Sequence, residues 1–319
     1  MTRTIVRAAR VAEVNGTADP VTIVVEHGRI DAIVSGHADA GLLPVVGDGS
    51  QSVAAGLIDI HTHGAIGVQT IDGDVSSLRR LSTFYAAHGV TGFLGTIGGS
   101  QSNIELGLEG LTRFMDTSAP GAVCLGIHLE GPFLNCCQPG AFNVASIVAP
   151  DVRTFERYCE LAGGRLRLMT VAPEVDGQLA VIAAARRAGV ICSAGHSAAS
   201  DTEMLEMIEH GVTSITHMFN AMPQLHHRSP GLVGVGLTDR RIVTELIADG
   251  VHVAPRVVQL LASAKGWEGI ALVSDSIAGA GLDDGVYGFE EQVIHLVDGQ
   301  ARLADGTLAG STLTLDAAV

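Results

Sequence analysis

The chain has 319 residues, 47% hydrophobic and 17% charged, which is too apolar for disorder and long enough for one large core plus a smaller unit. Its 34 acidic residues against 19 basic ones give a formal net charge of -15; no nucleic-acid-binding face is expected, although a small anion can still be held by local arginine, histidine and backbone amides. Five cysteines, Cys136 and Cys137 adjacent, fit free thiols in a reducing compartment better than a disulfide framework. No charge-free apolar stretch is of membrane-spanning length, so a cytoplasmic protein without membrane contact is expected.

In chain order, Ile5 to Val11, Val21 to Val25 and Arg29 to Val34 read as short strands, with Glu26-His27-Gly28 as a hairpin turn. Residues 1–50 are therefore expected to form the N-terminal part of a small β domain. From the apolar run Val53 to Ile60 onward, the pattern changes to strand, loop and Ala-rich helix. Helices are predicted over Leu78 to Ala87, Asn103 to Met115, Val152 to Leu161, Gln178 to Ala188, Asp201 to Glu209 (with Ser200 as N-cap) and Pro255 to Ala264. Strands are predicted over Val90 to Thr96, Ala122 to His128, Leu166 to Val171, Val190 to Ala194, Gly211 to Thr216, Ile242 to Ala248 and Ile270 to Val273. This alternation predicts an α/β fold with about eight parallel strands, the number that closes a barrel. Residues 51–319 would form it, with a β-ribbon inserted at about 285–309 and a helix beginning near Thr312.

The polar groups of interest stand at the ends of the apolar runs. His61-Thr62-His63 closes the first one, and the two-residue period of a strand turns both imidazoles to one face. Glu130, His196, His217 and Asp275 hold the same position on later strands. A single His-x-His among 13 histidines is weak evidence, whereas its occurrence with four similarly placed partners points to a metal site. Nitrogen and carboxylate donors suit zinc first and iron as the alternative, as one ion or two. Such an ion acidifies water and polarises a carbonyl, and Asp275 can take the water proton and pass it to a departing amine. Lys265, the one lysine, falls at a predicted helix end and is badly placed to bridge two ions, which leaves Glu130 for any bridging. His128 shares the strand parity of Glu130 and reads better as a hydrogen-bonded supporting histidine than as a ligand.

A second cluster, Asn220-Ala221-Met222-Pro223 with His226-His227-Arg228, offers an amide, backbone N–H groups and a cationic fork for an anion or a sugar. Arg228 is the first choice for phosphate and His252 its companion; His226 and His227 read as well as an exposed polar loop. A phosphate-binding loop ending in Lys-Ser/Thr is absent. Cys136 and Cys137 have no neighbour that marks a nucleophile.

Gly56-Leu57-Ile58-Asp59-Ile60-His61-Thr62-His63-Gly64, His128-Leu129-Glu130-Gly131-Pro132-Phe133 and Thr216-His217-Met218-Phe219-Asn220-Ala221-Met222, together with His226 to Gly231, Asp249 to His252, Leu272 to Asp275 and Leu308 to Thr314, resemble the N-acetylglucosamine-6-phosphate deacetylases of the amidohydrolase superfamily. The resemblance spans about residues 5 to 319. It implies a (β/α)₈ barrel joined to a small β domain made from both chain ends, usually as a homodimer. It further implies a principal metal on Glu130, His196 and His217, a second ion at His61 and His63, and Asp275 as acid/base. Asn220, Ala221, His252 and Arg228 correspond to sugar-phosphate contacts, with Arg228 reaching the partner subunit's site. The implied reaction is deacetylation of N-acetylglucosamine 6-phosphate. The N-acetylgalactosamine 6-phosphate reaction, another N-acyl amino sugar, and a weakly active phosphosugar-binding protein are the alternatives.

Two features depart from that pattern. Gly140-Ala141-Phe142 stands where these proteins have an imidazole facing the substrate. Related chains also continue beyond Leu308-Ala309-Gly310-Ser311, so the barrel and small domain are expected to be truncated at the C-terminus.

Overall fold

Apolar runs of four to eight residues alternate with amphipathic segments from Leu57 onward, and in the computed structural model this alternation becomes eight parallel strands with helices outside. The structure describes residues 3–13, 16–18, 20–289 and 292–319. The chain divides into two compact units, Met1–Gly56 and Leu57–Val319.

In the first unit, Arg29–Ser35, Val21–Glu26, Arg3–Ala8 and Val45–Val46 form one sheet in that order. Gly16–Ala18, Arg10–Glu13 and Ser52–Val53 form another. The hairpin expected at Glu26-His27-Gly28 turns on His27 and Gly28, both left-handed at φ 53° and 74°, as a two-residue connection between twisted strands requires. The run Ile5 to Val11 does not form one strand but breaks at Ala9, and its two pieces join different sheets.

The strands of the second unit are β1 (Leu57–Thr62), β2 (Val90–Ile97), β3 (Val123–Glu130), β4 (Leu166–Val171), β5 (Ile191–Ala194), β6 (Val212–Ile215), β7 (Val243–Ile247) and β8 (Ile270–Val273). They pair in sequence order, all parallel. The ring is stitched between β1 and the residues after β8: Asp275 N–H donates to the His61 carbonyl and His63 N–H to that of Ser276, each at 2.8 Å. Helices α1 (Val75–Ala87), α2 (Gln101–Met115), α3 (Val152–Leu161), α4 (Gln178–Arg187), α5 (Asp201–Glu209), α6 (Gly231–Thr238) and α7 (Pro255–Lys265) follow β1 to β7 in turn, and the short α8 (Leu315–Ala318) follows β8. Ser200 caps α5 as expected and does so in a reciprocal box with Glu203.

Two expectations need correction. The run Val53 to Ile60 is not one strand, because Ala54 to Gly56 interrupt it and Val53 pairs in the first unit. Helix α6 has no counterpart in the predicted elements; its three glycines in eight residues mask the helical signal. The ribbon within 285–309 comprises the antiparallel strands Gly285–Phe289 and Gln292–Val297 and a third strand, Gln300–Arg302. Glu290 and Glu291, within that span, lie outside the described residues.

Candidate metal centre

The parallel arrangement delivers every strand end to the same rim. Glu130 is the last residue of β3, His61 lies in β1, and His63 follows that strand by one residue. His196, His217 and Asp275 each stand two residues past their strands and share one distortion, a left-handed backbone with φ of 49°, 30° and 48°. Non-glycine residues hold that conformation at a cost of about 1–3 kcal/mol, which the surrounding structure must offset. The turn swings each side chain inward over the barrel mouth.

The six donors form two buried groups, His61/His63/Asp275 and Glu130/His196/His217. Glu130 serves both. Its Oε1 lies 3.2 Å from His196 Nε2 and 3.0 Å from His217 Nε2, while Oε2 lies 3.0 Å from His63 Nε2 and 3.4 Å from His61 Nε2. Asp275 Oδ1 is 3.4 Å from both His61 and His63.

The donor set fits a divalent cation. The Nε2 atoms of His196 and His217 approach to 3.0 Å, and those of His61 and His63 to 3.3 Å. His217 Nδ1 is buried without a hydrogen-bond partner among the described residues, whereas two of the far nitrogens are engaged, His61 Nδ1 donating to Glu245 Oε2 at 2.9 Å and His196 Nδ1 to the Gln138 carbonyl at 3.0 Å. In neutral imidazoles this fixes the tautomer that turns a bare Nε2 toward the centre, the usual support of a metal-binding histidine. Without the ion, protons take its part. Burial opposes charge on His63, yet hydrogen bonds to Asp275 and Glu130 lift it to about 9. Burial likewise works against ionised Asp275, but His61 and His63 hold it down to about 2. Glu130 is held well below the carboxylate range, with burial again opposing and the surrounding histidines prevailing.

His128 is brought close but not into the donor groups. It hydrogen-bonds Thr96 at 3.2 Å and Thr170 at 2.8 Å and packs edge-on against His61. Burial, with charge on His61 adding to it, pushes it well below the ordinary histidine range, so it is a neutral brace. Asn220, Ala221 and His252 line a cavity of about 370 Å³ over the metal donors; His252 is oriented by Asp249 at 2.7 Å. Arg228 does not line this cavity. It lies exposed, its guanidinium 2.9 Å from His227. Lys265 is far from bridging anything, its ammonium donating to the carbonyls of Asp239 and Ile242 at the opposite end of β7. Phe142 stands in the cavity wall, its ring 5.1 Å from that of His196.

Sequence reasoning missed Glu245, Glu174 and Arg302. Glu245, fully buried in β7, holds both His61 Nδ1 and the His217 backbone N–H; its signal was a lone acid inside an apolar strand. Glu174 ties the loop after β3 to the loop after β5 by accepting from Asn135, Ser197 and the Ala198 N–H. Nothing local in the sequence marks it. Arg302 lines the cavity from the ribbon.

A parallel barrel with imidazole and carboxylate donors at its strand ends defines the class of metal-dependent barrel hydrolases, and residues 52–315 match the amidohydrolase family. The N-acetylglucosamine-6-phosphate deacetylase of Bacillus subtilis is 37% identical over 287 residues, 89% of this chain and 70% of that protein. The N-acetylgalactosamine-6-phosphate deacetylase of Escherichia coli O157:H7 is 33% identical, covering 99% of this chain and 82% of its own. Among solved structures, the Mycobacterium smegmatis N-acetyl-D-glucosamine-6-phosphate deacetylase, as a variant in complex with N-acetyl-D-glucosamine-6-phosphate, superposes with a TM-score of 0.92 at 31% identity, over 100% of this chain and 82% of that one. This chain belongs to the amidohydrolase family, in its N-acetylglucosamine-6-phosphate deacetylase branch.

Proposed function

We propose that this protein hydrolyses the acetamide of N-acetylglucosamine 6-phosphate to glucosamine 6-phosphate and acetate in amino-sugar breakdown. The observation that carries the reading is the pair of buried donor groups sharing Glu130 beneath a cavity of about 370 Å³, a volume suited to one small ligand. Glu130, His196 and His217 would hold the principal ion, zinc first and iron(II) second, with His61 and His63 available to a second ion and Glu130 between them. A bound divalent cation supplies Lewis acidity toward the amide carbonyl and acidifies water.

The chain's own groups do the rest. Asp275, kept ionised at neutral pH, accepts the proton of the attacking water and returns it to the nitrogen as the C–N bond breaks. Asn220, the Ala221 backbone and His252 orient the sugar, so that contacts remote from the amide set its position. Arg228, outside its own cavity, is suited to serve the site of a second subunit in a homodimer. Five free thiols fit a reducing, cytoplasmic compartment, and no helix among the described residues is long and apolar enough to cross a membrane.

The galactosamine epimer is the second reading, favoured by the E. coli relative; Phe142, in the cavity wall, stands where the resemblance leads one to expect an imidazole. Acetate release from both 6-phosphates, by protein reconstituted separately with zinc and iron(II), tests the choice. Asp275→Asn is expected to lower kcat roughly 10²–10⁴-fold while metal analysis still finds bound ion at Glu130, His196 and His217. No acetate from folded, metal-loaded protein with either sugar would overturn the deacetylase reading.

A further inference from the structure

We infer that Phe142 selects the acyl group: it makes the acyl side of the cavity hydrocarbon, so that the substrate is an N-alkanoyl amino-sugar phosphate and a hydroxylated acyl group is turned away. The inference deepens the deacetylase reading and rests on it. Phe142 is half-buried in the cavity wall, on the loop that follows β3, at the position where an imidazole is expected.

Topology decides which part of the substrate meets that ring. Asn220 and Ala221 follow β6 and His252 follows β7, so the sugar and its phosphate lie over that side of the barrel mouth. The reacting carbonyl must sit between the Glu130/His196/His217 group and Asp275, where attack and proton transfer share one centre. A secondary amide is planar and trans, so its sugar carbon and its acyl carbon leave in opposite directions. The strands stand in sequence order round the ring, which puts β2 and β3 across the mouth from β6 and β7. The acyl chain therefore runs toward the ends of β2 and β3, where Phe142 stands.

The ring is fixed there by its surroundings. A methyl group on Gly98, the residue after β2, would meet the Phe142 ring at 2.7 Å and the Glu130 carbonyl at 3.0 Å. The ring thus fills the space that a glycine leaves beside a metal donor. Its other neighbour is His196, with ring centroids 5.1 Å apart. Two backbone groups beside it are already paired: Phe142 N–H donates to the Pro139 carbonyl at 3.0 Å, and the Ala141 carbonyl accepts from Gln292 Nε2 at 2.6 Å. Ala141 packs against the small core of the ribbon, which includes Ile277, and both residues line the cavity. The polar side chains of the cavity outside the donor groups, Asn220, His252, Arg302 and Thr307, come from the loops after β6 and β7 and from the ribbon. Phe142, with Ala141 and Ile277, gives the acyl chain a carbon surface. A hydroxyl pressed against it exchanges water for carbon, whereas a hydrocarbon chain gains by burial.

N-propionyl- and N-glycolylglucosamine 6-phosphate test this, because their acyl groups are of nearly equal size and differ in a methyl against a hydroxyl. Acid release is measured from each, and from the N-acetyl sugar, by metal-loaded unchanged protein, Phe142→Leu and Phe142→His. The unchanged protein is expected to favour propionyl over glycolyl in kcat/KM by roughly 10–100-fold, the effect of leaving one hydroxyl without a partner. Phe142→Leu should keep most of that preference, and Phe142→His should bring the ratio close to unity. A preference that is absent from the unchanged protein, or that survives Phe142→His, would overturn the inference. So would equal rejection of both longer chains, which is a limit on size alone. Calorimetric titration of the same two sugars into metal-loaded Asp275→Asn protein, with and without Phe142→His, reads the contact without turnover. If the unchanged protein releases no acid from any of the three sugars, a propionyl preference in binding that Phe142→His removes upholds the acyl wall and leaves only the deacetylase reading to fall. Equal affinities, or no binding of either sugar, sink the inference as well.

Discussion

The carboxylate of Glu245 lines no part of the cavity, yet two of the candidate metal donors depend on it. One oxygen accepts from His61 Nδ1 and from the His217 backbone N–H, fixing a tautomer on one strand and a left-handed turn on another. Glu245→Gln keeps the shape but replaces an anion with a neutral amide, weakening the basicity and orientation of His61. Metal affinity is expected to fall roughly 10–100-fold, measured by competition with a chromogenic chelator; an unchanged affinity would mean that the barrel alone positions the histidines. The residues that the structure gathers into the two donor groups were legible as candidates in the sequence because each ends an apolar run. Glu245 was not, because a supporting acid looks like any charged residue until the partner 184 positions away is in place.

At the scale of elements, packing overrides local preference. Gly110 lies within α2, where alanine is intrinsically better by about 1 kcal/mol. A methyl group there would meet the backbone of Gly73 at 2.1 Å, and backbone cannot rotate away as a side-chain tip can. Gly110→Ala is therefore expected to destabilise by about 1–3 kcal/mol, read from urea unfolding; a more stable variant would show that α2 can move off the Thr70–Asp72 turn. The same contest explains which elements the sequence revealed. Helix α5 announces itself through Ser200 and Glu203, a cap that needs no tertiary partner. Helix α6 stays hidden because its helical state comes from the burial of Leu232, Val233 and Val235, which composition cannot foresee. The boundary inside Val53 to Ile60 was hidden for the related reason that one apolar run supplies two different sheets.

For the whole molecule, the centre links metal content to stability and pH. In metal-free protein the buried acids are balanced by protons on histidine, with His63 raised from 6.5 to about 9 against the opposition of burial. A raised histidine pKa contributes stability that is complete below 6.5 and is lost as pH climbs through about 9. Asp275, lowered from 3.8 to about 2, has the opposite sign: its contribution is present above 3.8 and is lost as pH falls toward 2. A bound cation replaces those protons and requires neutral imidazoles, so its affinity rises with pH over the same interval in which the metal-free protein weakens. Saturation at a thousand times the dissociation constant stabilises by about 4 kcal/mol, roughly 10 °C in Tm for a unit of this size. The Tm difference between metal-loaded and chelator-treated protein should widen steadily from pH 6.5 to pH 9. Thermal unfolding at half-unit pH steps reads it directly, and a gap that stays constant across the interval would mean that the buried carboxylates are balanced by something other than these histidine protons.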